Sequence, residues 1–487
     1  MSWPSILAEL EQKRAFSQGM GGEARLGKHR EAGKLDARAR TAALFDDGNY
    51  VEIGGLAANR SEATEFPAPA DGLIGAFGFI HGRPALAGIE DFTVLAGSIG
   101  EAGSAKRYRL AQLALQERVP LVFMLEGAGH RLTNKHGTPS PNDLQALVEL
   151  SGLVPMVCLV MGASAGHGAL TAPLSDFVVM TKAASMFVAG PRLVKAALGE
   201  VVSKEDLGGP GVHVVQSGVA HRLAEDDLAA IGLARDWLNY LPANKIAGTD
   251  TGPRALDDVL DLVPSDPRIP FDMGQLLEML FDSGSLFEIQ PDHAGSLTVA
   301  LARLGGQSVA VMANNPSVNA GAIDSAAARK AVRFLRVAQD FGLPVIFLAD
   351  NPGVLPGTAS ERAGTLRDAA DMFTAQHRLT VPKFHVTIRK AFGFGSSIMA
   401  MNPFDGQTLN LAFPAVTLGA MPAQSGGKSA GMDDEARARI AAEQASSALE
   451  LASRMVYDDV IDPRQLRNIL LHGLMLASNR LTRGYSC

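Results

Sequence analysis

The chain repeats itself, and this limits its possible folds more than any other feature. Setting Lys106 on Lys330, an offset of 224 residues, keeps the flanks in register without a gap from His81 to Gly129. Gly82 falls on Gly306, Ala96-Gly97 on Ala320-Gly321, Arg109 on Arg333, Pro120 on Pro344 and Gly129 on Gly353. A shift to 227 then aligns Pro155 with Pro382, Gly166 with Gly393 and Gly168 with Gly395. Lys, Arg and Pro match as well as the small residues, so shared Gly and Ala richness does not explain the register. The repeat predicts two related domains, and 487 residues suffice to give each its own core.

Each half reads as the same succession. A strand pair, Leu73–Phe79 and Ala85–Glu90 in the first half, precedes a Gly/Ala-rich turn. Apolar residues at helical spacing then predict a helix over Ala102–Glu117, and over Ala326–Asp340 in the second half. The continuous apolar runs Leu121–Leu125 and Val345–Ala349 predict buried strands. Each runs into a glycine turn, Glu126-Gly127-Ala128-Gly129 or Asp350-Asn351-Pro352-Gly353. A further buried strand, Met156–Met161 or Lys383–Ile388, is expected to stop at glycines before a new helix. Strand, turn and helix in succession predict α/β architecture. Pro242, Gly248, Gly252, Pro253, Pro264, Pro267 and Pro270 crowd between the halves, giving expected domains of 1–245 and 246–487.

Composition excludes several classes. With 47% hydrophobic and 20% charged residues the chain is an ordinary globular protein rather than a disordered one. A net charge of −7 without a long basic run argues against nucleic acid as the main partner. Cys158 and Cys487 are too few for a disulfide framework or a four-thiolate zinc site, so a reducing compartment is expected. The start, Met1 to Arg14, lacks the apolar run of a signal peptide. The longest apolar stretch, Leu153 to Met161, is strand-sized and interrupted by Pro155, far short of the ~18 residues a membrane span needs. A cytoplasmic protein without a membrane partner is expected.

The chemistry-bearing residues point to backbone donors rather than side-chain acids. GxxxxGK[ST], HExxH and a GxGxxG after the first strand are all missing. His130, His136, His213 and His221 are scattered without metal-ligand spacing, so no metal is expected. What recurs is a strand running into small residues at an expected helix start: Gly162-Ala163-Ser164-Ala165-Gly166-His167-Gly168, and Phe392-Gly393-Phe394-Gly395-Ser396. A helix N-terminus presents unpaired N–H groups, and glycines let a substrate carbonyl approach them. Two such donors on one oxygen form an oxyanion hole. Two equivalent turns suggest two substrates that both develop an enolate. Gly162-x-Ser164-x-Gly166 also matches the nucleophile elbow of serine hydrolases, although the counterpart of Ser164 is Ala391.

These residues resemble those of the carboxyltransferase (β) subunit of biotin-dependent acyl-CoA carboxylases, the propionyl-, methylcrotonyl- and geranyl-CoA group. The resemblance is carried by Gly33-Lys34-Leu35 with Ala37-Arg38, Asp71-Gly72, Asp91-Phe92-Thr93-Val94 and Asp176-Phe177-Val178-Val179-Met180. It continues through Gly190-Pro191, Leu207-Gly208-Gly209, Asp350-Asn351-Pro352-Gly353, Arg389-Lys390-Ala391-Phe392-Gly393 and Asp459-Val460-Ile461-Asp462-Pro463.

The resemblance implies two tandem crotonase-like domains. It also implies transfer of CO2 from carboxybiotin on a carrier protein to the α- or vinylogous γ-carbon of an acyl-CoA, through enolates held in two oxyanion holes. Gly166-His167, with Gly168, should face the acyl-CoA thioester. Phe394-Gly395, with Gly393, should face the biotin urea oxygen. Lys34 and Arg38 belong to a basic stretch that could meet the CoA phosphates, and Ser397, with Phe394 beside it, is expected to shape the acyl pocket for something other than plain propionyl-CoA. Biotin comes on a biotinylated α subunit, since this sequence shows neither a Met-Lys-Met site nor an ATP-binding carboxylase domain. The implied assembly is a homo-oligomer, commonly a hexamer, with the active site shared between subunits. A biotin-independent crotonase-type hydratase or hydrolase and a non-catalytic scaffold subunit are the alternatives. The chain departs from the family pattern at His167, Phe394, Ser397 and Thr417–Met432.

Overall fold

The computed structural model describes residues 2–58, 68–131, 142–242, 244–248, 250–445 and 447–481. His136 and Cys487 lie outside these. The chain divides into two compact units, Met1–Asn239 and Tyr240–Cys487. Each is built on one eight-stranded sheet.

In the first unit the strands are β1 (Tyr50–Ile53), β2 (Leu73–Ile80), β3 (Arg83–Glu90), β4 (Leu121–Gly127), β5 (Met156–Ala165), β6 (Phe177–Thr181), β7 (Ser185–Phe187) and β8 (Arg222–Ala224). The second has β9 (Phe287–Ile289), β10 (Leu297–Leu304), β11 (Gln307–Asn314), β12 (Val345–Asn351), β13 (Lys383–Phe392), β14 (Leu409–Ala412), β15 (Thr417–Gly419) and β16 (Asp459–Val460). The sheet orders are β1-β2-β3-β4-β5-β6-β8, with β7 on β5, and β9-β10-β11-β12-β13-β14-β16, with β15 on β13. Antiparallel pairs open each sheet, and from β3 and β11 onward the pairing is parallel. Strand for strand, the two units are the same fold. The α/β class and the duplication expected from the sequence are therefore both present.

The continuous apolar runs are strands buried along their whole length: every residue of β4 and of β12 is buried. Parallel strands covered on both faces need this pattern. The helix Glu101–Glu117 lays Gly103, Arg107, Leu110, Ala111 and Ala114 against the sheet, and Ser325–Asp340 does so with Ala327, Ala331, Phe334, Leu335 and Ala338. Small residues on this face let helix and sheet approach closely.

The expectation that β5 and β13 stop at Met161 and Ile388 is corrected. Both run on, to Ala165 and Phe392, through an irregularity at which the register with the neighbouring strand shifts. The far end of β5 pairs with β7, and that of β13 with β15. A bulge bends the strand away from its first partner and gives it a second.

The lysines that anchor the repeat are buried in equivalent places. Lys106 Nζ donates to the carbonyls of Ala70 (2.7 Å) and Leu73 (2.5 Å). Lys330 Nζ donates to those of Gln290 (2.9 Å), His293 (2.9 Å) and Leu297 (2.8 Å). Each ammonium ties the turn before a strand to the helix behind it, and burial draws each pKa down to about 8. Lys106→Met and Lys330→Met leave those carbonyls buried without a donor. Each is expected to lose on the order of 2 kcal/mol in urea unfolding.

Candidate active site

The ends of the parallel strands form the same concavity in both units. Gly166 and Gly393, directly after β5 and β13, have φ of +58° and +57°, a region where other residues are strained. Main chain packs directly on main chain beside them. A Cβ on Gly129 would stand 2.7 Å from the Ala165 carbonyl oxygen, and one on Gly395 would stand 2.7 Å from Gly353 Cα.

Over the first bend lies a cavity of about 890 Å³ whose lining includes Phe92, Ala96, Gly129, His130, Gly166 and His167. The second unit has one of about 440 Å³ lined by Pro316, Ala320, Pro352, Lys390 and Phe392 among others. Phe92, Ala96, Ala128, Ala163 and Ala165 of the first cavity correspond in the repeat to those five residues. Gly166 and His167 also border a smaller apolar cavity of about 380 Å³ with Leu170, Pro173, Val188 and Val219.

The expected helix start at each bend is only partly there. After Gly166 the chain turns and makes a single four-residue helical turn, Thr171–Leu174, whereas Gly393–Ile398 is helical from the bend itself. Neither is long enough for an appreciable macrodipole, so individual N–H groups matter. The Gly166 N–H is already taken by the Phe187 carbonyl at 3.0 Å. Among the described residues the N–H groups of Gly129 and His167 have no acceptor. Phe394 and Gly395 lie in the first turn of their helix, where N–H groups have no acceptor within it. Gly353, the counterpart of Gly129, has its N–H on Asn351 Oδ1 at 3.0 Å.

Buried charge supports the first bend from below. His167 Nε2 lies 2.7 Å from Asp143 Oδ1, and Arg107 Nε donates to Asp143 Oδ2 at 2.6 Å. Burial alone would raise the Asp143 carboxyl, but the His167 hydrogen bond and the Arg107 charge outweigh it and hold it down at about 2. Arg107 also reaches Thr171 Oγ1 (2.5 Å) and lies 3.5 Å from Glu90 Oε1. Burial pushes Glu90 up to about 7 against the pull of Arg107 and of the Glu126 N–H, which it accepts at 2.9 Å. In the second unit two signature segments meet: Arg389 grips Asp350 with Nε (3.0 Å) and Nη2 (2.7 Å), and its Nη1 binds the carbonyl of Ile269.

The other residues singled out in the sequence lie as follows. Lys34 Nζ donates to Glu126 Oε1 (2.5 Å) and the Met161 carbonyl (3.0 Å), and Arg38 pairs with Glu52 (2.7 Å). Both cations are engaged inside the first unit and do not line its cavity. Gly168 is buried beside Glu90 and Ser164. Ser164 Oγ is buried with no hydrogen-bond partner among the described residues, so the elbow motif has no base. Phe394 projects outward, 54% exposed, and the Ser397 carbonyl accepts from Asn402 and Gln376. Among the described residues no cluster of His, Cys, Asp or Glu is arranged to hold a metal ion, and no helix is long and apolar enough to cross a membrane. Sequence reasoning missed Asp143, which no motif marks, and it read His130 as one scattered histidine. Only the fold brings His130 over His167, with ring centroids 4.0 Å apart.

This duplicated scaffold matches the family described as the carboxyl transferase domain over residues 28–484. The chain belongs to that family, and it is a carboxyltransferase of the acyl-CoA carboxylase type. It is 35% identical over 497 residues to the methylmalonyl-CoA decarboxylase subunit alpha of Veillonella parvula, covering 97% of this chain and 96% of that one. It is 33% identical over 485 residues to the propionyl-CoA carboxylase beta chain of Cereibacter sphaeroides, covering 95% and 94%. The crystal structure of the transcarboxylase 12S hexamer with methylmalonyl-CoA superposes with a TM-score of 0.92 at 32% identity, covering 98% of this chain and 97% of that one. The two tandem crotonase-like domains expected from the sequence are thus the observed fold.

Two outcomes follow from the site. Ser164→Ala is expected to keep carboxyltransferase turnover within about twofold, where a nucleophile would lose several orders of magnitude. Glu90 has a folded pKa near 7, above its unfolded value, so the folded state binds more protons between about pH 4.5 and 7 and stability falls as pH rises through that window. Glu90→Gln should flatten that slope in denaturation measured at several pH values.

Proposed function

We propose that this chain is the carboxyltransferase subunit of a biotin-dependent acyl-CoA carboxylase, moving a carboxyl group between biotin on a carrier protein and an acyl-CoA. The observation that supports this most is the duplication itself: one fold, copied, gives two bends with main-chain donors, the first lining a cavity and the second directly following Phe392, which lines one. The relatives whose names mention methylmalonyl- and propionyl-CoA favour a short-chain acyl-CoA substrate.

At the first bend the N–H groups of His167 and Gly129 would bind the thioester oxygen. Main-chain hydrogen bonds beside them, Ile99 N–H to the Gly129 carbonyl and Gly166 N–H to the Phe187 carbonyl, hold them before the substrate arrives, so negative charge growing on that oxygen meets dipoles that need little reorganisation. Each such donor contributes about 3 kcal/mol to the transition state. The apolar cavity beside Leu170 and Val219 suits an acyl chain.

The second bend fits a biotin ring. Phe394 and Gly395 offer adjacent N–H groups to a urea oxygen, any side chain at Gly395 would clash with Gly353, and Pro316, Pro352 and Phe392 provide apolar walls. When bound, biotin supplies the carboxyl group for transfer. On this reading the subunit works as a homo-oligomer of the hexameric kind, in the cytoplasm, with a biotinylated α subunit that bears the biotin carboxylase and carrier. Ser397, on the helix that begins at the second bend, belongs to the acyl-selecting region.

The test is carboxylation of acetyl-, propionyl-, 3-methylcrotonyl- and longer acyl-CoAs after reconstitution with the biotinylated protein that co-purifies from the native host, identified with labelled streptavidin. Turnover of at least one acyl-CoA that needs the biotinylated partner is expected, and turnover by this chain alone would favour the hydratase or hydrolase reading. Gly166→Pro cannot adopt the +58° turn and is expected to abolish turnover with the circular dichroism spectrum unchanged.

A further inference from the structure

The two bends continue differently, and the buried side chains beneath them differ too. After Gly393 the chain is helical at once, over Gly393–Ile398, whereas after Gly166 it turns and becomes helical only at Thr171. Six residues are too few for a helix to hold itself, and its last carbonyls have no donor within it. His385 of β13 supplies one: its Nδ1 lies 2.7 Å from the carbonyl oxygen of Met399, the residue that caps this helix. A carbonyl can only accept, so Nδ1 carries the proton, and Nε2 accepts from Thr387 Oγ1 at 2.7 Å. The Thr387 hydroxyl in turn accepts from Tyr457 Oη at 2.8 Å. All three side chains are buried, and burial draws the His385 pKa down to about 4, so the ring is neutral and the direction of each bond is fixed. In the first unit the strand register sets Cys158 and Val160 where His385 and Thr387 stand, paired with Phe123 and Leu125 as these are with Phe347 and Ala349. The shared fold therefore does not require the imidazole.

We infer that His385 is a positioning residue for the second bend, holding the N–H groups of Phe394 and Gly395 toward the urea oxygen of biotin. The inference rests on the proposed seating of biotin there. β13 enters the bend and the helix leaves it, and the His385–Met399 hydrogen bond ties the strand to the far end of the helix. Strand, helix and bond form a closed triangle, which sets the angle that aims the first-turn N–H groups. Gln376 and Asn402 grip the same helix end at the Ser397 carbonyl, but neither lies on the strand that enters the bend. Without the His385 bond the helix can pivot about Gly393, where a glycine at φ +57° has the backbone freedom to turn. His385 is fully buried and does not line the cavity, so it acts on biotin only through the main chain.

The experiment uses the purified full-length chain with free biotin as acceptor and malonyl-CoA or methylmalonyl-CoA as carboxyl donor, and measures KM for each substrate. Two variants divide the imidazole between them. H385N puts an amide N–H where Nδ1 stands and keeps the bond to Met399, while H385Q reaches Thr387 but not Met399. H385N is expected to keep the KM for biotin within about twofold, and H385Q to raise it by about fivefold or more. The KM for the acyl-CoA should stay within about twofold in both, because the first bend is untouched. Circular dichroism and melting temperature are read for each variant, since a merely structural loss of folded protein lowers the rate and leaves both KM values alone. An equal biotin KM in the two variants, or a rise in both substrates' KM alike, overturns the role of His385 and leaves the biotin site standing. No transfer to biotin by the unaltered chain overturns the biotin reading of the second bend and His385 with it.

Discussion

A single carbon added to Gly129 would stand 2.7 Å from the Ala165 carbonyl oxygen, and one added to Gly97 would stand 2.2 Å from that of Glu126. The second unit repeats the constraint: Gly321 meets the Asp350 carbonyl at 2.5 Å, and Gly395 meets Gly353 at 2.7 Å. Main chain therefore packs on main chain where the parallel strands end. This contact brings the turn after β4 against the bend after β5 closely enough for the Gly129 and His167 N–H groups to serve one cavity; the turn after β12 packs on the bend after β13 in the same way, but there Gly353 spends its N–H on Asn351. Without it the strands would splay and the donors would separate. The rest of each sheet holds these four short segments in place.

Such tight packing leaves carboxylates buried beneath the bends, and the two units neutralise them differently. Glu126 accepts Lys34 from the N-terminal region, with Arg40 Nη2 2.7 Å from its other oxygen, and Arg40 in turn binds Asp227. Asp350, its counterpart, takes both cations from its own neighbouring strand, Arg389 and Lys390. Leaving either carboxylate unpaired in so apolar a place would cost several kcal/mol. Lys34 and Arg40 therefore neutralise a carboxylate beneath the first bend. A duplicated fold kept its geometry while each copy found its own counter-charges.

Much of this was legible in the residues. Lys106 and Lys330 anchored the repeat because each caps several buried carbonyls with a compact three-donor ammonium on a long apolar stem. The buried strands showed as unbroken apolar runs, and the bends showed as glycines at matching positions. The strand ends were misjudged, since a glycine after an apolar run reads as a stop, while here the strand bulges and takes a second partner. The His130–His167 stack and the Asp143 beneath it were invisible for a different reason: the three residues lie on three separate segments with no period linking them.

The linear order of residues thus determined the architecture, because burial on both faces of a parallel sheet and the reach of a buried lysine leave marks at fixed spacing. Only the folded chain decided which N–H groups are free and which are spent. It showed the Gly166 N–H committed to Phe187 while that of His167 stays open, since hydrogen bonding between segments depends on distances of a few tenths of an ångström. Lys34 and Arg38 give the same lesson for charge: their sign is written in the sequence, but that one meets the buried Glu126 and the other the half-buried Glu52 is set by packing.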